Sequence, residues 1–153
     1  MAQEKVDEKS NEITAIPNLL SRLDLVGQIV TLDAMGCQKG ICEQIVAQGG
    51  DYVIYLKGNQ GRLHDDVREW FADKTQSIDH EWEEWGKGHG RIEHRRCITA
   101  KDIDWLSQRH NWPGLKSIAV VESERTTSKG IQKEKRYYIS SLNPCAERIA
   151  HTA

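Results

Sequence analysis

The feature that most constrains this chain is a strand-like run, a helical stripe and a second strand-like run, joined by short turns within residues 26–57. VGQIVTL (26–32) is rich in β-branched residues and ends at Asp33, followed by Ala34, Met35 and Gly36. KGICEQIVAQ (39–48) sets Ile41, Ile45 and Val46 on one stripe and stops at Gly49-Gly50, which predicts a helix with a glycine C-terminal signal. DYVIYLK (51–57) is again aromatic and β-branched, and it closes in Gly58-Asn59-Gln60-Gly61, which is turn chemistry. Strand, helix and strand with such connections form a crossover in which the two strands run parallel in one sheet. The first half is therefore read as α/β. Ligands of such sheets gather at the carboxyl ends of strands, where Asp33 and Lys57 stand.

The flanks extend this pattern. IPNLLSRLDL (16–25) has apolar residues at 16, 19, 20 and 23 and Pro17 in a first-turn position, predicting a short helix for which Asn11 or Thr14 is the cap. Leu63, Val67, Trp70 and Phe71 give a third helical stripe. Residues 73–91 turn acidic and then glycine-rich and basic, which predicts an exposed, partly irregular excursion. Residues 91–100, 117–125 and 132–142 read as strands, with a hairpin turn at Ser128-Lys129-Gly130. Residues 102–109 are expected to form a short helix, and another begins at Pro144. The expected organisation is a βαβ part over about residues 1–72, an inserted strand-rich region over about 73–142, and the start of a helix over 143–153.

With 153 residues the chain has the usual size of one domain. Its longest apolar runs, such as 118–121 and 53–56, fall far short of the roughly 20 residues that span a bilayer. The start, MAQEKVDEKSNE, has no apolar core and does not read as a secretory signal, so the expected compartment is the cytosol. A formal charge of −2 gives no bulk footprint for nucleic acid, so any such partner must meet a local patch. Four cysteines, at 37, 42, 97 and 145, lack the density of a disulfide scaffold and are read as reduced thiols. Trp70, Trp82, Trp85 and Trp105 lie beside many charges and are expected to build amphipathic packing surfaces rather than a deep core.

Three constellations could carry chemistry. Asp33 follows a strand, where a carboxylate can hold a hard cation such as Mg²⁺; the alternative is an aspartate that caps the next helix. Lys57, Asn59 and Gln60 offer a cation and two amides around Gly58, suited to phosphate contact; the alternative is an ordinary strand-to-helix turn. GKGHGRIEHRR (86–96) concentrates Arg91, Arg95 and Arg96 among cations and glycines and is the best patch for a DNA backbone; the alternative is a solvated hairpin balanced by Glu81, Glu83 and Glu84. The basic cluster at 125–136 reads more simply as a solvated hairpin. Cys37, Cys42, His89 and His94 carry ligand-like spacings, but the pairs lie too far apart in sequence to favour a zinc reading. No nucleophile elbow, HExxH or dinucleotide fingerprint is present.

Taken in order, VDEKSNEITAIPNLL, IVTLDAMGCQK, YLKGNQ, HGRIEHR and RYYISSL resemble the ISAs1-type insertion-sequence transposases, including the H-repeat-associated proteins. The likeness runs over nearly the whole chain. It implies a ribonuclease-H-like fold and DDE chemistry, in which two aspartates and a glutamate hold two Mg²⁺ or Mn²⁺ ions for DNA strand cleavage and transfer. Two such ions activate the attacking oxygen and stabilise the leaving one during in-line displacement at phosphorus. On this resemblance Asp33 corresponds to the second catalytic aspartate and metal ligand, with Lys57, Asn59 and Gln60 near it. The DNA role of Arg91, Arg95 and Arg96 is inferred from charge. The family's first aspartate and its glutamate have no counterpart here, and neither Asp7 nor Glu147 matches them.

The expectation is thus a partial catalytic domain with a mixed sheet, flanking helices and a β-rich C-terminal half, inactive in strand transfer alone. The alternative is a DNA-binding or regulatory remnant. The expected partners are DNA at insertion-element ends, in the bacterial nucleoid, and the intact transposase or a second copy. Without the first strands of the sheet, marginal stability or self-association is expected.

Overall fold

The computed structural model describes residues 12–32, 39–56, 62–73, 75–106 and 112–152, with the backbone alone for 12–15 and Lys39. Four helices, α1 (Glu12–Ser21), α2 (Lys39–Ala47), α3 (Arg62–Ala72) and α4 (Ala146–Thr152), pack on a mixed sheet of six strands. The strands are β1 (Ile29–Leu32), β2 (Asp51–Leu56), β3 (His80–Gly88), β4 (Arg91–Ala100), β5 (Ser117–Thr127) and β6 (Gly130–Ser140). Their order is β1-β2-β6-β5-β4-β3.

The parallel pair expected from the crossover is present, with Ile29 opposite Asp51 and Leu32 opposite Ile54. Every other pairing is antiparallel. The free side of β2 is taken by β6, with Val53 opposite Ser140 and Leu56 opposite Tyr137, so the βαβ part and the strand-rich part share one continuous sheet.

Strand alternation divides the core in two. Ile54, Leu56, Ile118, Val120, Tyr137 and Ile139 point to the side where Leu20, Ile41, Ile45, Leu63, Val67 and Trp70 pack from α1, α2 and α3. Val53, Cys97, Ala119, Val121 and Tyr138 point to the other side, under Ala146, Ile149 and Ala150 of α4. The result is a helix, sheet, helix sandwich whose sheet runs on past both helical layers at the β3–β4 and β5–β6 hairpins.

Four local expectations are corrected. The first helix starts earlier and places Pro17 in its interior; it ends at Ser21, where Arg22 and Leu23 donate to carbonyls three residues back. The first strand begins at Ile29 rather than Val26, because Gly27 at φ +72° makes a turn that leaves Val26 exposed. The acidic and glycine-rich excursion becomes regular from His80 on, since Trp82 packs beside α4 and β3 pairs with β4 along its whole length. Residues 102–106 form a turn instead of a helix. There the Trp105 indole N–H donates to the Asp102 carbonyl, the acceptor an α-helix would offer Leu106, and the Leu106 N–H bonds to Ile103 instead.

The tryptophans also divide. Trp70 is a core residue, stacked on Trp105 at a centroid distance of 6.1 Å, whereas Trp82 is half-buried and Trp85 is exposed. Among the described cysteines, Cys42, Cys97 and Cys145 are free thiols.

Candidate functional site

The carboxyl ends of β1 and β2, at Leu32 and Leu56, lie side by side, as the crossover requires. Asp33, Lys57, Asn59 and Gln60 follow those ends in sequence and lie outside the described residues, as does Cys37. Among the described residues no three histidine, cysteine, aspartate or glutamate side chains converge as a metal would need. The described part of the chain therefore does not by itself compose a divalent-metal site.

The second candidate, the basic hairpin, is fully described. Its turn is tight: His89 at φ 51° and Gly90 at φ 73° both occupy the left-handed region, the pattern of a two-residue type I′ connection between Gly88 and Arg91. Strand alternation then separates the three arginines named from sequence. Arg96 lies on the face that carries α3, where its Nε donates to Glu81 Oε1 at 2.8 Å and its Nη1 sits 3.8 Å from Glu122. Lys135 reaches the same Glu122 at 3.6 Å, so this row across β3, β4, β5 and β6 is a ladder of alternating charge. The hydrogen bond from Arg96 holds the Glu81 carboxyl below its ordinary range.

Arg91 and Arg95 lie on the opposite face, the one that carries α4. They are joined there by Arg125 of β5 and Arg136 of β6, because the β4–β5 and β5–β6 registers place Arg125 beside Glu93 and Arg136 beside Val121. Arg91 and Arg125 share Glu93 at 3.1 and 3.3 Å. Arg136 pairs with Glu134 at 2.9 Å and lies over the Tyr55 ring at 5.4 Å, near the carboxyl end of β2. These four arginines occupy successive rows from the β2 end toward the hairpin tip. Between them runs a groove of about 620 Å³ lined by Arg95, Ser123, Arg125, Gln132, Lys133 and Glu134, among others. Four guanidiniums facing three carboxylates, Glu84, Glu93 and Glu134, leave this face cationic in a chain whose formal charge is −2. Planar guanidiniums suit phosphate oxygens.

A model of the transposase DDE domain matches residues 1–150. The chain belongs to the DDE transposase family. This DDE chain is 46% identical over 157 residues to the H repeat-associated putative transposase YhhI of Escherichia coli K12, covering 98% of the chain and 42% of that protein. It is 50% identical over 144 residues to an uncharacterized protein in the dhlA 3′ region of Xanthobacter autotrophicus, covering 92% of the chain and 48% of that protein. With the H repeat-associated putative transposase YbfD of E. coli K12 the identity is 52% over 108 residues, covering 69% of the chain and 43% of that protein. The chain thus spans less than half the length of these relatives. Arg125 and Arg136 were passed over in the sequence because a basic hairpin on a solvated flank has the same composition. Period-two alternation counted through the turn at Ser128-Lys129 places Arg125 and Arg136 on one face, and only the β4–β5 register adds Arg95 to it.

Proposed function

We propose that this chain is a DNA-contacting part of an ISAs1-type insertion-sequence transposase built on a ribonuclease-H-like core. The parent reaction is divalent-metal-dependent cleavage and transfer of DNA strands. Asp33 takes the role of the second catalytic aspartate and contributes one carboxylate to Mg²⁺ or Mn²⁺, with Lys57, Asn59 and Gln60 beside it. A two-metal displacement needs further carboxylates beside Asp33, and on this reading the chain alone binds DNA without transferring strands. Its place of action is the bacterial cytoplasm, at the nucleoid. The strand β1 is paired on one side only among the described residues, which supports pairing of that edge with a second copy or with intact transposase.

The observation that carries this reading is the arginine face, found in a chain that belongs to a DNA transposase family. Contacts to phosphate release counterions, so affinity falls steeply with salt. The test is binding of a duplex oligonucleotide at increasing salt. Measurable affinity at low salt that drops by an order of magnitude or more toward physiological salt is expected. No binding at low salt refutes the reading. Mg²⁺-dependent cutting of an element-end duplex by the purified chain, abolished by Asp33→Ala, refutes the non-catalytic part of it.

A further inference from the structure

An anionic oxygen already stands between two arginines of the α4 face. Glu93 Oε1 lies 3.1 Å from Arg91 Nε and 3.3 Å from Arg125 Nε, so one oxygen faces guanidiniums from two strands. The registers fix this arrangement. Glu93 and Arg125 are direct partners in the β4–β5 pairing, and Arg91 lies two residues before Glu93 on the same face of β4. Across β3 to β6 the row reads Gly86, Glu93, Arg125, Gln132, so the carboxylate has a bare glycine on its other side. The Arg136–Glu134 pair, by contrast, joins two residues of one strand.

Carboxylate and phosphate oxygens are both anionic acceptors for the N–H groups of a guanidinium. The place between Arg91 and Arg125 is therefore fit for a phosphate and is filled by the chain's own carboxylate. Because it is tethered, Glu93 meets an incoming anion as a competitor at high effective concentration. It is not locked in, since all three side chains are close to half exposed. There is also room for it to leave. A recess of about 200 Å³ at the hairpin tip is lined by Gly86, Gly88, Arg91 and Glu93, among others. A Cβ at either glycine would meet nothing within 4 Å, so the recess is open to a displaced carboxylate. On its other side Glu93 borders the groove that carries Arg95 and Arg125.

We propose that Glu93 is an internal competitor for a DNA backbone phosphate, holding between Arg91 and Arg125 the place that the phosphate takes when DNA binds. The displaced carboxylate turns toward the recess beside Gly86 and Gly88. An isolated phosphate must break two ion pairs for one contact, whereas a duplex brings further phosphates to Arg95 and Arg136 at the same time. The competitor thus sets a threshold that favours a continuous polyanion over single anions. The inference rests on the DNA reading above and goes beyond it in assigning a regulatory role to an acidic residue of that face.

The test is the affinity of the full chain for a short duplex oligonucleotide, measured by fluorescence anisotropy over a series of salt concentrations. Glu93→Gln is expected to bind on the order of fivefold more tightly than the native chain, because two half-exposed ion pairs no longer oppose the phosphate. Its slope of log affinity against log salt should steepen by up to about one unit, since no freed carboxylate takes up a cation. Glu124→Gln, which changes the net charge equally on the α3 face, should show neither effect. The gain must also depend on the two arginines, so Glu93→Gln added to Arg91→Ala with Arg125→Ala should bring none. Glu93→Asp keeps the charge but shortens the reach, and is expected to show part of the gain; it also serves if Glu93→Gln lowers the melting temperature. A gain that persists without the arginines, or one matched by Glu124→Gln, overturns the inference as a general charge effect and leaves the DNA reading standing. Unchanged or weaker binding by both Glu93 variants overturns it in the same way. Absence of binding by the native chain at low salt overturns the DNA reading and this inference together.

Discussion

The imidazole of His80, the first residue of β3, accepts the backbone N–H of Ala146, the first residue of α4, at 2.7 Å through Nδ1. A side chain 66 residues away in sequence therefore satisfies one of the N–H groups that a helix start leaves without an intrahelical partner. The acceptor must be an unprotonated Nδ1, so the capping tautomer carries its hydrogen on Nε2. His80→Ala is expected to cost about 1 kcal/mol of stability, the usual value of a lost N-cap. It should also speed proteolysis just ahead of α4, between Leu142 and Ala146. Urea denaturation and a timed digest measure the two effects, and an unchanged digest would show that apolar packing alone holds α4.

The join between the two halves of the sheet rests on two serines. Ser140 Oγ donates to the Tyr52 carbonyl at 2.8 Å and accepts the Leu142 N–H at 3.0 Å. Ser141 Oγ accepts the Tyr52 N–H at 2.8 Å and donates to Asp51 at 2.9 Å. Both serines are buried. Ser140→Ala strands the Leu142 N–H away from water, while the Tyr52 carbonyl keeps the Ser141 backbone N–H at 3.1 Å, so a loss of about 1–3 kcal/mol is expected. Ser140→Thr keeps the hydroxyl and is the matched control. A loss below about 0.5 kcal/mol on Ser140→Ala would mean that water replaces the hydroxyl.

The β1-α2-β2 unit was legible because each piece keeps one period and its stops are glycines, as at Gly49-Gly50. β3 was obscured because its inward signal is a single side chain, Trp82, among glutamates and glycines that also occur in loops. The turn at 102–106 depends on a bond from one indole to one carbonyl, which periodicity does not record. The arginine face was legible residue by residue but not as a set. Arg95, Arg125 and Arg136 come together only through the registers of two hairpins, and a slip of one residue would move a strand's whole set to the other face.

The Glu81–Arg96 pair should leave a mark on acid stability. The hydrogen bond from Arg96 lowers the folded-state value of Glu81, against a smaller opposing effect of burial. A depressed carboxylate adds stability that is complete above its unfolded value, about 4.3, and that is lost as the pH falls through the lower folded value. Both side chains are about one-third exposed, so the pair contributes under about 1 kcal/mol. Glu81→Gln is therefore expected to be slightly less stable than the native chain at pH 7 and to lose the difference as the pH falls below the ordinary glutamate range. Denaturation midpoints across that range test this, and parallel curves would refute it.

The cysteines should differ in reactivity. Burial pushes the Cys42 and Cys97 thiols up to about 12, leaving almost no thiolate at pH 8. Cys145, just ahead of α4, is partly exposed. Iodoacetamide is expected to alkylate Cys145 well before Cys42 or Cys97 in the folded chain, and all three at similar rates in urea. Peptide mass spectrometry resolves the sites. Early labelling of Cys97 in the folded state would show that α4 opens readily, since that thiol lies beneath it.

The two faces of the outer sheet should separate in function. Arg91, Arg125 and Arg136 keep their carboxylate partners on the α4 face, yet all three stay close to half exposed, so their guanidiniums can still meet phosphate. Arg96 is tied between Glu81 and Glu122 on the other face, where a phosphate would compete with two carboxylates. Arg125→Ala and Arg136→Ala are expected to weaken duplex binding for any sequence and to lower the slope of log affinity against log salt by about one unit each. Arg96→Ala should leave that slope unchanged and lower stability by under about 1 kcal/mol. The comparison is decisive because the arginines share one sheet and differ in the face they occupy. If Arg96→Ala alone reduces the slope, DNA lies on the α3 face and the groove between Arg95 and Arg125 has another role.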